Sequence, residues 1–251
     1  MPTNTVKPLQ WWDYNRDDPL ADGLVGYWPF WERMGLTAHD VSGKGNNGTL
    51  VNGPTWVPEG LSFDGSNDHV DISSDRFNLG VFSIWGVVCP NSTGSSLQTI
   101  MGRRYSGSFQ YQFRYIDSSN ALSLLCTGGS TTSSLTIPDG EFTSIGATFD
   151  GTNVSFFAGN RVDINSGTTS VTLQDLSTFI GATNGSPVAN LFGGVIKQTA
   201  IWDRVLSPEE YKSLYEDQHA LIRRPTKTYL YYTAPVGTGS PWYNNLQELI
   251  A

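Results

Sequence analysis

Short apolar runs alternate with clusters of glycine, asparagine, serine and threonine along most of the chain. In HVDIS, Val70 and Ile72 alternate with polar residues, the period of a half-buried strand. FQYQFRY alternates in the same way: Phe109, Tyr111, Phe113 and Tyr115 share one face, with Gln110, Gln112 and Arg114 on the other. VFSIWGVVC is a continuous apolar run, the pattern of a strand buried on both faces. Turn signals separate the runs at Asp64-Gly65, Asp139-Gly140, Asp150-Gly151, Gly159-Asn160 and Asn184-Gly185. Roughly a dozen strands punctuated like this predict an all-β, two-sheet antiparallel sandwich of jelly-roll type.

One helix interrupts the β pattern. In LSPEEYKSLYEDQ, Ser207 is placed as N-cap, Pro208 at the first helical position and Glu210 three residues after the cap. This is a capping box, with proline where its missing N–H costs nothing. Leu206 before the cap and Tyr211 inside the helix are placed to form a hydrophobic staple.

The chain divides into three parts. Residues 1–22 form an N-terminal aromatic arm, residues 23–217 the domain, and residues 218–251 an extended tail. The ends are too aromatic for solvated linkers. Trp11, Trp12 and Tyr14 lie in the arm; Tyr229, Tyr231 and Trp242 lie in the tail, after the basic pair Arg223 and Arg224. Either the ends pack back on their own domain or they dock on a neighbour, where Trp, Tyr and Arg are favoured anchors.

Composition narrows the function. The 251 residues carry a formal net charge of −8, which argues against a phosphate-neutralising nucleic-acid face. No apolar run is long enough to span a membrane, and the first residues lack the apolar core of a secretory signal. Cys89 and Cys126 lie in strand-like runs and read as buried thiols. His39, His69 and His219 are widely separated, with none of the spacings of a zinc site. Neither a G-x-S-x-G elbow nor a phosphate-binding glycine loop is present. The carboxylates Asp64, Asp68 and Asp71 read as a turn cap followed by two solvent-facing positions. Asn47, Asn91 and Asn153 head glycosylation-type triplets that a Ser/Thr-rich chain produces by chance.

Three ordered blocks resemble the laminin G-like, concanavalin A-like jelly-roll domains. They are GLVGYWPF through DVSGKGNNGTLVNGPTW to LSFDGSNDHVDI, then GEFTSIGATFDGTNVSFFAGNRV, then LFGGVIKQTAIWDRVLSPEEYKSLYED. One departure is visible: Trp85 stands two positions before the place, near Val87, where the family often carries its tryptophan. The resemblance implies a domain that binds or displays rather than catalyses. The family's glycosidases keep carboxylates alternating on one strand, a pattern missing here. It also implies a structural Ca²⁺ held by Asp40, Asn47 and Thr49 of the glycine-rich loop together with Asp203, with an Asx-turn loop as the alternative.

Sugar binding needs an exposed aromatic platform. Trp28, Trp31, Trp56, Trp85, Tyr111 and Trp202 fit core packing better, so Tyr105 is favoured, in a loop beside Arg103 and Arg104. The flanks NRDDPLADGLVGYW and LYEDQHALIRRPTKTY resemble extensions around such domains in tailed-bacteriophage structural proteins. That resemblance implies a non-enzymatic virion subunit, assembled in the host cytoplasm and docked through its arms on other virion proteins or on copies of itself. The alternatives are a carbohydrate-binding module or lectin-like adhesion domain, and last a glycoside hydrolase.

Overall fold

A computed structural model describes residues 18–93, 97–105, 108–174, 176–183 and 189–222. Sixteen strands follow in chain order: β1 Leu24–Trp28, β2 Thr37–Ala38, β3 Gly48–Val51, β4 Thr55–Val57, β5 Gly60–Asp64 and β6 His69–Ile72. Next come β7 Phe82–Pro90, β8 Gln98–Tyr105, β9 Ser108–Ile116, β10 Ala121–Cys126 and β11 Gly129–Thr136. The last are β12 Thr143–Phe149, β13 Asn153–Ala158, β14 Arg161–Thr168, β15 Thr178–Ile180 and β16 Gly193–Trp202, before helix α1 Pro208–Glu216.

They form two antiparallel sheets of eight. The back sheet runs β14-β13-β12-β7-β16-β5-β4, with β1 also paired to β16. The front sheet runs β11-β10-β9-β8-β15-β6-β3-β2. The predicted jelly-roll-type sandwich with one short helix is the observed fold.

The main core lies between the sheets and is built by the predicted alternation. Tyr111, Phe113 and Tyr115 of β9 meet Phe82, Ile84 and Phe149 across the interior. Phe82 packs against Tyr111 with ring centroids 4.5 Å apart and the planes tilted by 35°. At one side the edge strands β11 and β14 meet. There the Asp163 carboxylate accepts from the backbone N–H of Ser134 and from the hydroxyls of Ser133 and Ser134. A carboxylate on an edge strand thus closes the seam instead of leaving open donors.

A second core covers the outer side of the back sheet. Trp85, Val87, Phe157, Ala200 and Trp202 point outward and are buried under α1 and two 3₁₀ turns, Pro19–Ala21 and Ala220–Ile222. This explains why β7 is apolar on both faces. It also disposes of the displaced tryptophan: Trp85 and Val87 are two apart on one strand, so both lie on the same face. Tyr211 of α1 stacks on Phe157 at 3.7 Å and donates its hydroxyl to the carbonyls of Ile84 and Ala147. Gly146 makes this possible, because a Cβ there would run into the Tyr211 ring. The capping box at Ser207 and Glu210 forms as predicted, and Arg204 holds the same Glu210 carboxylate from its other side.

The sequence boundaries at 23 and 217 leave out residues that complete this second core. Trp202 Nε1 donates to the Leu20 carbonyl, Arg204 to the carbonyls of Pro19 and Asp22, and Gln198 to that of Gln218. Leu20 and Leu221 are buried. The aromatic and basic residues assigned to docking, Trp11, Trp12, Tyr14, Arg223, Arg224, Tyr229, Tyr231 and Trp242, lie outside the described residues.

Candidate functional site: a polar cleft at one end of the sandwich

The loop from Asp40 to Asn47 covers the free edge of β1. Both Asp40 oxygens accept backbone N–H groups, Oδ1 from Tyr27 and Ser42 and Oδ2 from Asn46. Val41 N–H donates to the Tyr27 carbonyl, and the Asn46 side chain donates to that of Val25. Asn47 Oδ1 in turn accepts from Asp40 N–H. Asp40 and Asn46 therefore satisfy an edge strand that would otherwise present open donors and acceptors. Gly45, at φ +78 with open space around it, lets the loop reverse direction.

Of the residues expected to hold Ca²⁺, Asp40 and Asn47 are brought together, but their oxygens already accept backbone protons. Thr49 sits in β3, paired to Thr37 and Asp71, and Asp203 lies beyond the end of β16 beside Gly23. Among the described residues no group of three or more His, Cys, Asp or Glu side chains gathers to hold a metal. As folded, Asp40 takes an Asx-turn role, accepting from Ser42 N–H two residues on.

The same loop is one wall of a cleft of about 770 Å³, lined by segments 44–46, 73–76 and 176–177. That is within the range of small-molecule sites, about 300–1,000 Å³. A smaller lobe of about 270 Å³ adjoins it, lined by Gly23, Leu24, Val25 and Asp203. Lys44 and Arg76 line both lobes.

Hydrogen bonds lock the three walls together. Ser74 Oγ donates to Asn46 Oδ1 at 2.8 Å and accepts from Arg76 N–H, capping the short turn Asp75–Phe77. Gln174 N–H donates to Asn78 Oδ1 at 3.0 Å. Below them lies Arg103, fully buried. Its Nη1 donates to the Ser74 carbonyl and to Thr178 Oγ1, and its Nη2 to the Gln174 carbonyl. One guanidinium fork thus ties two loops to β15.

This corrects the expectation for RRYSGS. Arg103, Arg104 and Tyr105 belong to β8, which continues to pair with β9 as far as Tyr105 and Ser108. Arg103 supports the cleft from underneath and is not presented at the surface. Trp28, Trp85, Trp202 and Tyr111 are buried, as their core reading requires.

The carboxylate cluster is also redistributed. Asp64 caps its turn, accepting from the N–H groups of Ser66 and Asn67, and the Ser66 bond foremost holds its carboxyl below the usual range. Asp68 is not solvent-facing: it is 4% exposed and accepts from Asp64 N–H, and burial raises its pKa. Asp71 is half-buried on the outer face of the front sheet, and burial raises its carboxyl as well. Both cysteines are free, and burial pushes the Cys126 thiol up to about 12.

A laminin G-like profile of the concanavalin A-like lectin/glucanases superfamily matches residues 64–211, more than half of the chain. The chain belongs to that superfamily. No curated protein sequence matches it. The concanavalin A-like fold is shared with several solved structures. Trypanosoma rangeli sialidase in complex with sialic acid superposes with a TM-score of 0.62 at 19% identity, over 78% of this chain and 33% of that one. The chain therefore spans about a third of the sialidase's length. Domain 4 of AbnA, a GH43 extracellular arabinanase from Geobacillus stearothermophilus in complex with arabinotriose, gives 0.55 at 15% identity. It covers 76% of this chain and 98% of that one. The binding domain of botulinum neurotoxin serotype D gives 0.58 at 11% identity, over 79% of this chain and 52% of that one. At these identities the likeness is one of fold.

In the concanavalin A-like domain described here, the cleft offers hydroxyls from Ser73 and Ser177, cations from Lys44 and Arg76, carboxylates from Asp75 and Asp203, and apolar contacts from Leu176 and, in the smaller lobe, Leu24 and Val25. Such a mixture of donors and acceptors suits a polyhydroxylated ligand. Sequence reasoning singled out Asp203 of the lining and the scaffold residues Asp40, Asn47 and Arg103, but not the rest of the lining. Lys44 at the tip of a glycine-rich loop was the one available signal; nothing local marks residues 73–76 or 176–177.

Proposed function

We propose that this chain is a non-enzymatic, lectin-like domain that takes a glycan in the cleft between segments 44–46, 73–76 and 176–177. The observation that carries the proposal is the cleft itself: polar, ligand-sized, and fixed from beneath by a buried arginine. A pre-formed polar site keeps the ordering cost of binding low. The superfamily and the arabinotriose bound to a domain of like fold support the ligand class. The reading is one of binding without turnover, since Asp64 and Asp68 are engaged in their turn and the cleft holds Asp75 and Asp203 from different loops.

The test is an array of oligosaccharides probed with the full chain and with Ser177→Trp, which fills the cleft. Binding by the parent and loss in the variant, at unchanged melting temperature, is the expected result. Binding that survives Ser177→Trp moves the site elsewhere.

The finer placement is a virion-borne subunit docked by its terminal segments on its neighbours or on its own copies. It rests on the sequences of those segments. Light scattering of the full chain beside residues 18–222 tests it: larger assemblies of the full chain alone support docking through the ends. Two monomers of equal compactness remove self-association.

A further inference from the structure

We propose that the ligand of the cleft is a saccharide carrying a negatively charged substituent, a carboxylate or a sulfate, held between Lys44 and Arg76. The inference rests on the cleft being the glycan site and adds its charge class.

Two observations carry it. Lys44 reaches the cleft from the β2–β3 loop and Arg76 from the β6–β7 connection, and both line both lobes, so they stand where the lobes join. Both side chains are exposed, and neither has an ion pair or side-chain hydrogen bond to a described residue. Several other described cations do work of that kind, though the exposed Arg33 does not. Arg204 holds Glu210, Lys212 lies 3.7 Å from Glu216, and Arg161 donates to the Thr136 carbonyl. The lining carboxylates Asp75 and Asp203 equal these cations in number, but each lines one lobe only, whereas Lys44 and Arg76 are shared by both and give the junction a two-point hold for an anionic group. The walls are also built to hold them there. Arg76 N–H is bonded to Ser74 Oγ, which is bonded to Asn46, two residues from Lys44. Each cation therefore springs from a backbone fixed relative to the other. Hydroxyls at Ser73 and Ser177 remain for the neutral part of the sugar.

Calorimetric titration of the full chain with matched pairs tests this. The pairs are oligogalacturonate and its methyl ester, sialyllactose and lactose, and a heparin oligosaccharide and its desulfated form. At least one charged member is expected to bind about tenfold or more tighter than its neutral partner. That preference should shrink as salt is raised from 20 mM to about 500 mM, since exposed charges are screened. Lys44→Ala combined with Arg76→Ala should remove the preference at unchanged melting temperature, and Arg76→Lys should keep part of it. Equal binding of charged and neutral partners overturns the charge assignment and leaves the glycan site standing. A preference that persists in the double variant assigns it to other residues and overturns the inference. Binding of none of the six probes overturns the inference; neutral-glycan hits on the array would then leave the cleft reading standing.

Discussion

The back layer and the end cleft are held by opposite means. Behind the back sheet, Trp85, Trp202, Phe157 and Tyr211 fill the space under α1, and even Gly146 is chosen by the shape of its neighbour. At the cleft, the parts that matter are loops, and side-chain hydrogen bonds fix them: Asp40 to three N–H groups, Asn46 to Ser74, Arg103 to two carbonyls and a hydroxyl. The difference teaches how one sandwich serves two ends. Packing gives stability without leaving space. Polar scaffolding gives defined positions around space that stays open to solvent.

The comparison can be broken most forcefully from the back. Trp202→Ala should lower stability by about 4 kcal/mol, the loss of a large fully buried side chain. Thermal and denaturant melts would show it, while the folded fraction binds ligand unchanged. Asp40→Ala should cost about 2 kcal/mol, because three backbone N–H groups lose their acceptor together. Unlike the first change, it should also weaken ligand binding, since the loop bearing Lys44 is released. Equal effects of the two on binding would erase the proposed division.

Ser207→Ala should cost about 1 kcal/mol by removing the helix cap. The effect belongs to the back layer and should leave titrations untouched. A smaller, pH-dependent effect marks the β11–β14 seam. Burial raises the Asp163 carboxyl, but the N–H of Ser134 and the surrounding serine hydroxyls outweigh it, so its pKa is lowered from 3.8. A carboxyl depressed in the folded state stabilises fully above its unfolded value and loses that contribution as pH falls through the folded one. The melting difference between the parent and Asp163→Asn should therefore be constant from pH 7 to about 5 and vanish towards pH 2. Smallest of all, Lys44→Ala should change stability by less than about 0.5 kcal/mol.

The strands, the Asp-Gly turns and the capped helix were legible because each is written in local chemistry: period two in FQYQFRY, Ser207-Pro208 with Glu210, Asp64 before Gly65. The apolar run at β7 correctly implied two covered faces, though not that α1 provides the second cover. The cleft was hidden because its walls come from segments far apart in sequence, joined only by the order of strands in the sheets. Arg103 misled for a physical reason. Two consecutive arginines before Tyr-Ser-Gly read as solvated loop, yet a long side chain can reach carbonyls at the end of a sandwich and be buried there. Gln112 and Arg114 do lie on the face opposite the core aromatics, but what the alternation does not tell is that they are 0% and 7% exposed, bonded to Thr99 and to Ser123 and Ser130.

The two 3₁₀ turns at Pro19–Ala21 and Ala220–Ile222 touch each other on the back layer. The backbone thus arrives and departs through one doorway. Leu24, the first residue of β1, faces Trp202, the last of β16. Tension applied across that doorway would open this ladder one rung at a time, and antiparallel ladders opened from their free ends give way at low force. A fold wired in this manner is poorly suited to serve as a link in a loaded chain. It is well suited to hang from one as a side branch, or to sit inside a loop of a host protein without stretching the host.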